Sequence, residues 1–381
     1  MSYRTKAIAA AMLSFASFVP MSFASAADLP VKVKAKPVPE IPFFLVIDDR
    51  VTYSYIAKGT DPGYFSIQPN GSINGSTAKS VYSFTHFDVW AYGTNFFGIN
   101  MFKSDHNDPS APCTNTGSFQ NPVVGGFGSA AVAAQCSGAT EFFGLLRSTY
   151  GWNEIFNTKM FSQGPLHNIS FEIGAEGETE NNTLAPNKRA FEAGLQFAFD
   201  LPYKGYFNVA PLAYKELNHN AFNQCGSAFA AGITPGVNCS LDGETNFKTT
   251  WAVEINYYMD LGFLPESINY FAISGRAGFY GPKGDANGLP LASGTGVAST
   301  ATKTEINSEP IRLTFDASKA FWGPKYAQFV TTWVSYRYWQ NKFGLDHNAE
   351  LGVCNILVGG VAQSTNSCTE SSYQAGVTVK F

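Results

Sequence analysis

The chain reads as an all-β protein, a transmembrane, antiparallel, up-and-down β-barrel of about twelve strands. Three observations predict this. The last eleven residues alternate, with Tyr373, Ala375, Val377, Val379 and Phe381 apolar and Ser372, Gln374, Gly376, Thr378 and Lys380 polar or small. That is a period of two over the length of a tilted bilayer-crossing strand. The amino terminus has the form of a secretory leader. Aromatic residues are 15% of the chain and charged residues only 14%, which suits an apolar outer band with aromatic girdles better than a soluble surface.

Residues 1–27 are the expected signal peptide. Arg4 and Lys6 precede an apolar run from Ala7 to Phe23, and Ala24-Ser25-Ala26 is a small-residue cleavage site. Read instead as a membrane anchor, the run is too short to span and is broken by Pro20 and several serines. Residues 28–47 are rich in Pro and Lys and read as an extended periplasmic segment. The barrel with its extracellular loops then occupies 48–381.

Alternating runs place strands at 50–58, 80–91, 96–103, 140–150, 167–178, 189–200, 205–217, 247–260, 268–280, 307–317, 326–340 and 371–381. The count is even, as a single-chain bacterial barrel requires. Connections 59–79, 104–139, 179–188, 218–246, 281–306 and 341–370 are long. Those at 92–95, 201–204 and 262–265 are short. Long loops face the outside of the cell and short turns the periplasm, so both termini are expected on the periplasmic side.

Cys113 and Cys136, Cys225 and Cys239, and Cys354 and Cys368 each share one long connection. Secretion favours disulfides, and local pairing closes one loop at a time. A zinc site is the competing reading, but close Cys-x-x-Cys spacing and clustered histidines are lacking. Asp105-His106-Asn107-Asp108 and Asp346-His347-Asn348 have cation-binding residue types, but read as solvated turns. No cofactor is expected. The net charge of −4 comes without a basic tract, so no nucleic-acid partner is expected.

Alternation assigns faces. Ile169, Phe171 and Ile173 oppose Glu172, Glu176 and Glu178. Phe191, Leu195, Phe197 and Phe199 oppose Glu192, Gln196 and Asp200. Phe247, Trp251, Val253, Ile255 and Tyr257 oppose Lys248, Thr250, Glu254 and Asn256. Phe271, Ile273 and Phe279 oppose Ser274 and Arg276, and Ile311, Leu313 and Phe315 oppose Arg312, Thr314 and Asp316. Arg or Lys facing lipid at mid-depth costs about 2–4 kcal/mol, so the charged face is the lumen. A soluble β-sandwich also alternates, with its apolar faces forming a shared core.

The lumen is therefore expected to carry Arg147, Glu172, Glu254, Arg276, Arg312 and Arg337. By parity it also takes Tyr82, Phe84, His86, Asp88, Trp90 and Tyr92 from one strand, and Phe329, Trp333 and Trp339 from another. Rings beside hydrogen-bonding groups suit a solute with a flat ring and a polar sugar. The alternative is a wall of Arg–carboxylate pairs that fills and stiffens the lumen.

The terminal strand resembles the closing strand of bacterial outer-membrane barrels, in which a final Phe is an assembly signal. The block Val81-Tyr-Ser-Phe-Thr-His-Phe-Asp-Val-Trp-Ala-Tyr-Gly93 resembles the second strand of the Tsx family of nucleoside-specific channels. So do Ser335-Tyr-Arg-Tyr-Trp339 and Asp346-His-Asn-Ala-Glu350. The resemblance implies a twelve-stranded, narrow, monomeric channel in the bacterial outer membrane that passes nucleosides. Its matched positions are Phe87, Asp88, Tyr92, Arg337, Tyr338 and Trp339, of which parity turns Phe87 and Tyr338 toward lipid. The chain departs from the family in its longer loops, its cysteine pairs, its Pro-rich leader and the poor match at Gly59 to Lys79. Implied partners are outer-membrane lipid and lipopolysaccharide, the barrel assembly machinery through Phe381, and phage at the loops.

Two rival functions remain. One is a general small-solute porin, with 104–139 folded inward as a constriction. The other is an outer-membrane lipid hydrolase, which needs a serine and a histidine with an orienting partner. Of the five histidines, only His86 lies at a strand centre, and no serine signature accompanies it.

Overall fold

The computed structural model describes residues 43–67, 70–106, 108–109, 138–181, 187–219, 225, 240–284, 301–349 and 353–381. The leader, most of 105–139 and part of several other long connections lie outside them. Twelve long strands correspond one for one to the twelve expected segments. They are β1 (Phe44–Gly59), β2 (Thr77–Trp90), β3 (Gly93–Ser104), β4 (Thr140–Gly151), β5 (Leu166–Glu180) and β6 (Asn187–Leu201). They continue with β7 (Gly205–His219), β8 (Thr250–Asp260), β9 (Phe271–Tyr280), β10 (Glu305–Asp316), β11 (Val330–Gln340) and β12 (Thr369–Lys380).

Each strand pairs antiparallel with its sequence neighbours, and β1 pairs with β12, Arg50 opposite Lys380 through Ile56 opposite Gln374. The sheet is thus closed and has no edge. Closure satisfies the backbone of every wall strand without water, which is why strands can cross a bilayer at all. A closed twelve-stranded barrel with an apolar outer face is a bacterial outer-membrane architecture.

Side-chain exposure fixes the two faces. On β1, Val51, Tyr53 and Tyr55 are each about half exposed, whereas Ser54 and Ile56 are buried. Even positions of β1 therefore point inward. The Thr52 hydroxyl meets that of Thr378 at 2.8 Å, and the Trp333 indole N–H donates to Thr378 at 3.1 Å. The outward set includes Ile99, Leu146, Phe171, Phe191, Trp251, Ile311, Val334 and Tyr373, a lipid-facing band. Two irregularities, between Ser274 and Arg276 and between Ser308 and Ile311, shift the β9–β10–β11 register while keeping Arg276, Glu309 and Arg312 inward.

Five short connections lie at one end, the turn end. Two contain brief α-helices at Trp152–Ile155 and Ala317–Trp322, and a third a 3-10 turn at Glu266–Ile268, which alternation did not reveal. The Asp316 carboxylate caps the second by accepting from the Lys319 N–H at 2.9 Å. Exposed Trp322, Tyr326, Phe329 and Phe381 ring this end, as an interfacial aromatic girdle does. At the loop end, Ser66–Ile67 pairs with Ile73–Asn74, and Asn355–Val358 pairs with Val361–Ser364. The Cys354–Cys368 disulfide ties the second hairpin to the start of β12. Cys225 is also disulfide-bonded. Its expected partner Cys239, and the Cys113–Cys136 pair, lie outside the described residues.

Candidate functional site in the barrel lumen

The lumen is charged, as expected, and near the loop end most of its charges are paired and buried. Lys283 contacts Glu216 directly and lies 3.7 Å from Glu305. Lys188 lies 2.7 Å from Glu176 and 4.0 Å from Glu216. Tyr214 donates its hydroxyl to Glu216 at 2.8 Å, and the Trp339 indole donates to Glu305 at 2.8 Å. Lys79 donates to both oxygens of Asp61, at 3.0 and 2.7 Å, and to Glu141. Lys342 donates to the Thr60 carbonyl and, at 3.3 Å, to Glu370. Arg337 approaches Glu370 at 2.8 Å, but without the alignment of a hydrogen bond. Lys342 sits 4.2 Å over the Trp339 ring, and Lys283 5.2 Å over Phe247. A charge this deep persists only when paired, so these contacts form one interlocked layer.

Arg147 of β4 is the hub of a second cluster. Its guanidinium crosses to β8, donating to Glu254 at 2.9 and 3.2 Å. It also contacts Glu192 and lies 3.9 Å from both Glu172 and Glu176. Gly174 makes room for this, since a Cβ there would collide with the Arg147 and Glu192 side chains. The ion-pair wall that the sequence left as an alternative is what this part of the lumen contains.

The β9–β11 wall differs. The Arg312 guanidinium stacks 3.9 Å over the Trp333 ring and donates to Glu309 at 2.6 Å. Gly376 lets Trp333 lie flat against β12, because a Cβ there would come within 2.6 Å of the indole. Arg276 is near Glu309, Arg337 and Arg312, yet among the described residues it makes no hydrogen bond or ion pair. Its side chain is exposed, and only to the lumen. Toward the turn end, Arg50 bonds Asp48 at 2.5 and 2.9 Å and lies near Tyr258 and Tyr206 on the opposite wall.

Of the expected lumen residues, Arg147, Glu172, Glu254, Arg276, Arg312, Trp333, Arg337 and Trp339 point inward. The β2 assignment is inverted. Register with β1 sets Ser83 opposite Thr52 and Val81 opposite Ser54, so odd positions of β2 face the lumen. Tyr82, Phe84, His86, Asp88 and Trp90 face outward, and Tyr92 continues the aromatic group beyond the strand, 5.3 Å from Trp90. Phe87, expected toward lipid, is inward opposite Phe96. His86 bridges Asp49 at 2.6 Å and Asp88 at 3.2 Å. Asp88 also accepts from Asn95 at 2.9 Å. Carboxylates engage both His86 ring nitrogens, so neither is placed to take a proton from a hydroxyl. Phe247 precedes β8 rather than belonging to it, and is buried. Phe329 precedes β11 and packs on Trp322 at 6.3 Å.

Sequence reading missed Asp61, Lys79, Glu141, Lys188, Glu216, Lys283, Glu305, Lys342 and Glu370. Asp61 lies in the first loop. Burial works against its ionisation, but attraction to Lys79 and Lys342 outweighs this and holds its carboxyl below the usual range. In the last loop, slight burial of Asp346 is outweighed by the Asn348 N–H and by Lys303 at 3.2 Å, so its carboxyl is also lowered. A cavity of about 380 Å³ at the loop end is lined by Lys58, Thr60, Asn74, His347, Asn366 and Thr369.

No family model and no curated protein matches the chain. Solved structures do. An outer membrane channel from Pseudomonas putida F1 is 8% identical, with 92% of this chain and 100% of that chain covered and a TM-score of 0.41. The translocator domain of the autotransporter NalP from Neisseria meningitidis is 11% identical over 88% of both chains, with a TM-score of 0.34. The P. putida toluene transporter TodX is 7% identical over 88% of this chain and 89% of that chain, with a TM-score of 0.33.

Proposed function

We propose that the chain is an outer-membrane channel for the passive diffusion of small solutes, with nucleosides as the preferred class. The observation that carries this reading is Arg276, a lumen cation exposed to the interior, which among the described residues makes no hydrogen bond or ion pair, although Glu309 lies opposite it on the next strand. Beside it, the Arg312–Trp333 stack offers a flat cationic surface. An arginine donates five N–H groups and accepts none, so Arg276 selects solutes rich in acceptor oxygens and ring nitrogens. A guanidinium plane stacks on flat rings. A nucleoside has a ring for the second feature and acceptors for the first. The resemblance to the Tsx family supports the same class.

Because the loop-end layer is filled by ion pairs, the path is narrow and follows the β9–β11 wall. Purified protein in proteoliposomes is expected to pass nucleosides faster than a sugar of similar size. Arg276→Ala is expected to reduce that preference by about tenfold or more, since one hydrogen bond to a charged group is worth about 1.5–3 kcal/mol. Equal permeation of sugar and nucleoside indicates a general porin instead.

A further inference from the structure

We propose that Asp61, Glu141 and Glu180 form a binding site for a divalent, oxygen-preferring cation such as calcium at the loop end of the lumen. One carboxylate oxygen from each residue can be chosen so that all three lie within 4.8 Å of one another. Two oxygens each about 2.4 Å from a shared calcium ion are at most about 4.8 Å apart. The spacing therefore leaves room for one ion to reach all three. The donor set is oxygen only, which suits a hard cation and not zinc or copper.

The second observation is Glu180 itself. It is buried, with 7% exposure, and among the described residues its Oε1 has no hydrogen-bond partner. Among the described residues it makes no ion pair. Lys79 does not supply the missing charge, because it is shared between Asp61 and Glu141. Lys342 is 4.0 Å from Asp61 and closer to Glu370, at 3.3 Å. Among the described residues no ammonium contacts Glu180 itself, and Asp61, Glu141 and Asp108 add their fields to that at Glu180 against the field of Lys79. A buried carboxylate left in this position must be neutralised by a proton or by a cation. The adjacent oxygens of Asp61 and Glu141 favour the cation, since a proton needs only one of them.

The ligands come from the first loop, the start of β4 and the end of β5, next to Lys79 of β2. A bound ion therefore fastens the first loop to the barrel wall. This proposal does not depend on which solute the barrel passes.

The test uses the full-length protein, refolded in detergent, stripped with chelator and titrated with calcium chloride. Tm is followed in parallel with terbium luminescence. The expected result is a saturable rise in Tm and displacement of terbium by calcium. The dissociation constant is expected at about 10⁻⁴–10⁻³ M, the range of extracellular calcium modules. Glu180→Gln and, separately, Glu141→Gln are expected to weaken binding by about tenfold or more, whereas Glu244→Gln on an exposed stretch retains it. An unchanged Tm in the wild type overturns the proposal and assigns a proton to Glu180. A response as strong as that of the wild type in both glutamine variants also overturns it, by placing the ion elsewhere.

Discussion

Replacing Arg147 with alanine removes a guanidinium shared by four glutamates, but the structure predicts a penalty set by only one of them. Glu254 keeps a hydrogen bond from Tyr280 at 2.8 Å, and Glu172 keeps one from Gln196 at 2.9 Å. Glu176 keeps Lys188 at 2.7 Å. Glu192 has no such reserve. Its side chain is 1% exposed, Arg147 is its ion-pair partner, and among the described residues neither of its oxygens accepts a hydrogen bond. Stranding one buried charge costs about 3–5 kcal/mol, so that is the expected loss, not a multiple of it. Urea unfolding of the barrel in lipid vesicles, followed by tryptophan fluorescence, measures it. Adding Glu192→Gln to Arg147→Ala should recover most of the loss, since a neutral amide replaces the stranded charge. A loss below about 1 kcal/mol, typical of an exposed pair, would refute the reasoning. It would mean that water surrounds Glu192 and that this part of the lumen is open.

Three further outcomes are expected. Ile99→Arg places a charge on the lipid face and should destabilise the barrel by about 2–4 kcal/mol, whereas Asn100→Arg, on the lumen face, should cost much less; the same unfolding assay compares them. Reducing Cys354–Cys368, separated by 14 positions, should cost about 3 kcal/mol by loop-closure entropy and expose the Asn355–Ser364 hairpin to protease. The Asp61 carboxyl is depressed when folded from an ordinary value of 3.8. Its contribution is therefore present above that value and lost as pH falls through the lower folded value. Hydrogen exchange in the first loop should rise in that acidic window, and the absence of a rise there would contradict the pairing with Lys79 and Lys342.

The strands were legible because lipid imposes a strict rule on one face. Phe191, Leu195 and Phe197 cannot be exchanged with Glu192 and Gln196 while the strand stays in a bilayer. β2 escapes that logic because rings occur on both of its faces, and because His86 and Asp88 put ionisable groups on the outward one. Both sit near the turn end, beside the Phe43–Trp90–Tyr150 aromatic group, where a hydrogen-bonded polar patch is tolerated on the outside. Pairing with Thr52 and Ser54 of β1 held the correct answer. The buried layer was illegible for another reason. Asp61, Lys79, Lys188, Lys283, Glu305, Lys342 and Glu370 lie at or just beyond the strand ends, where no lipid enforces alternation. A charged residue there reads as solvated loop. Asp61, Lys283 and Lys342 nevertheless reach inward to Lys79, Glu216 and Glu370, and period-two reasoning contains nothing that reports this. Arg276 was legible as a lumen residue, but not as one that makes no ion pair among the described residues, since that depends on side chains of β10 and β11.

The seam between β1 and β12 has a kinetic consequence. Its Thr52–Thr378 contact joins residues 326 positions apart, so every other strand pairing is more local than this one. Loop-closure entropy makes such a contact late. Until it forms, the chain is a curled sheet with two free edges, at β1 and β12, and free edges recruit other strands. The hazard in making this protein is therefore concentrated in one interval, after the last hairpin has paired and before the two ends meet.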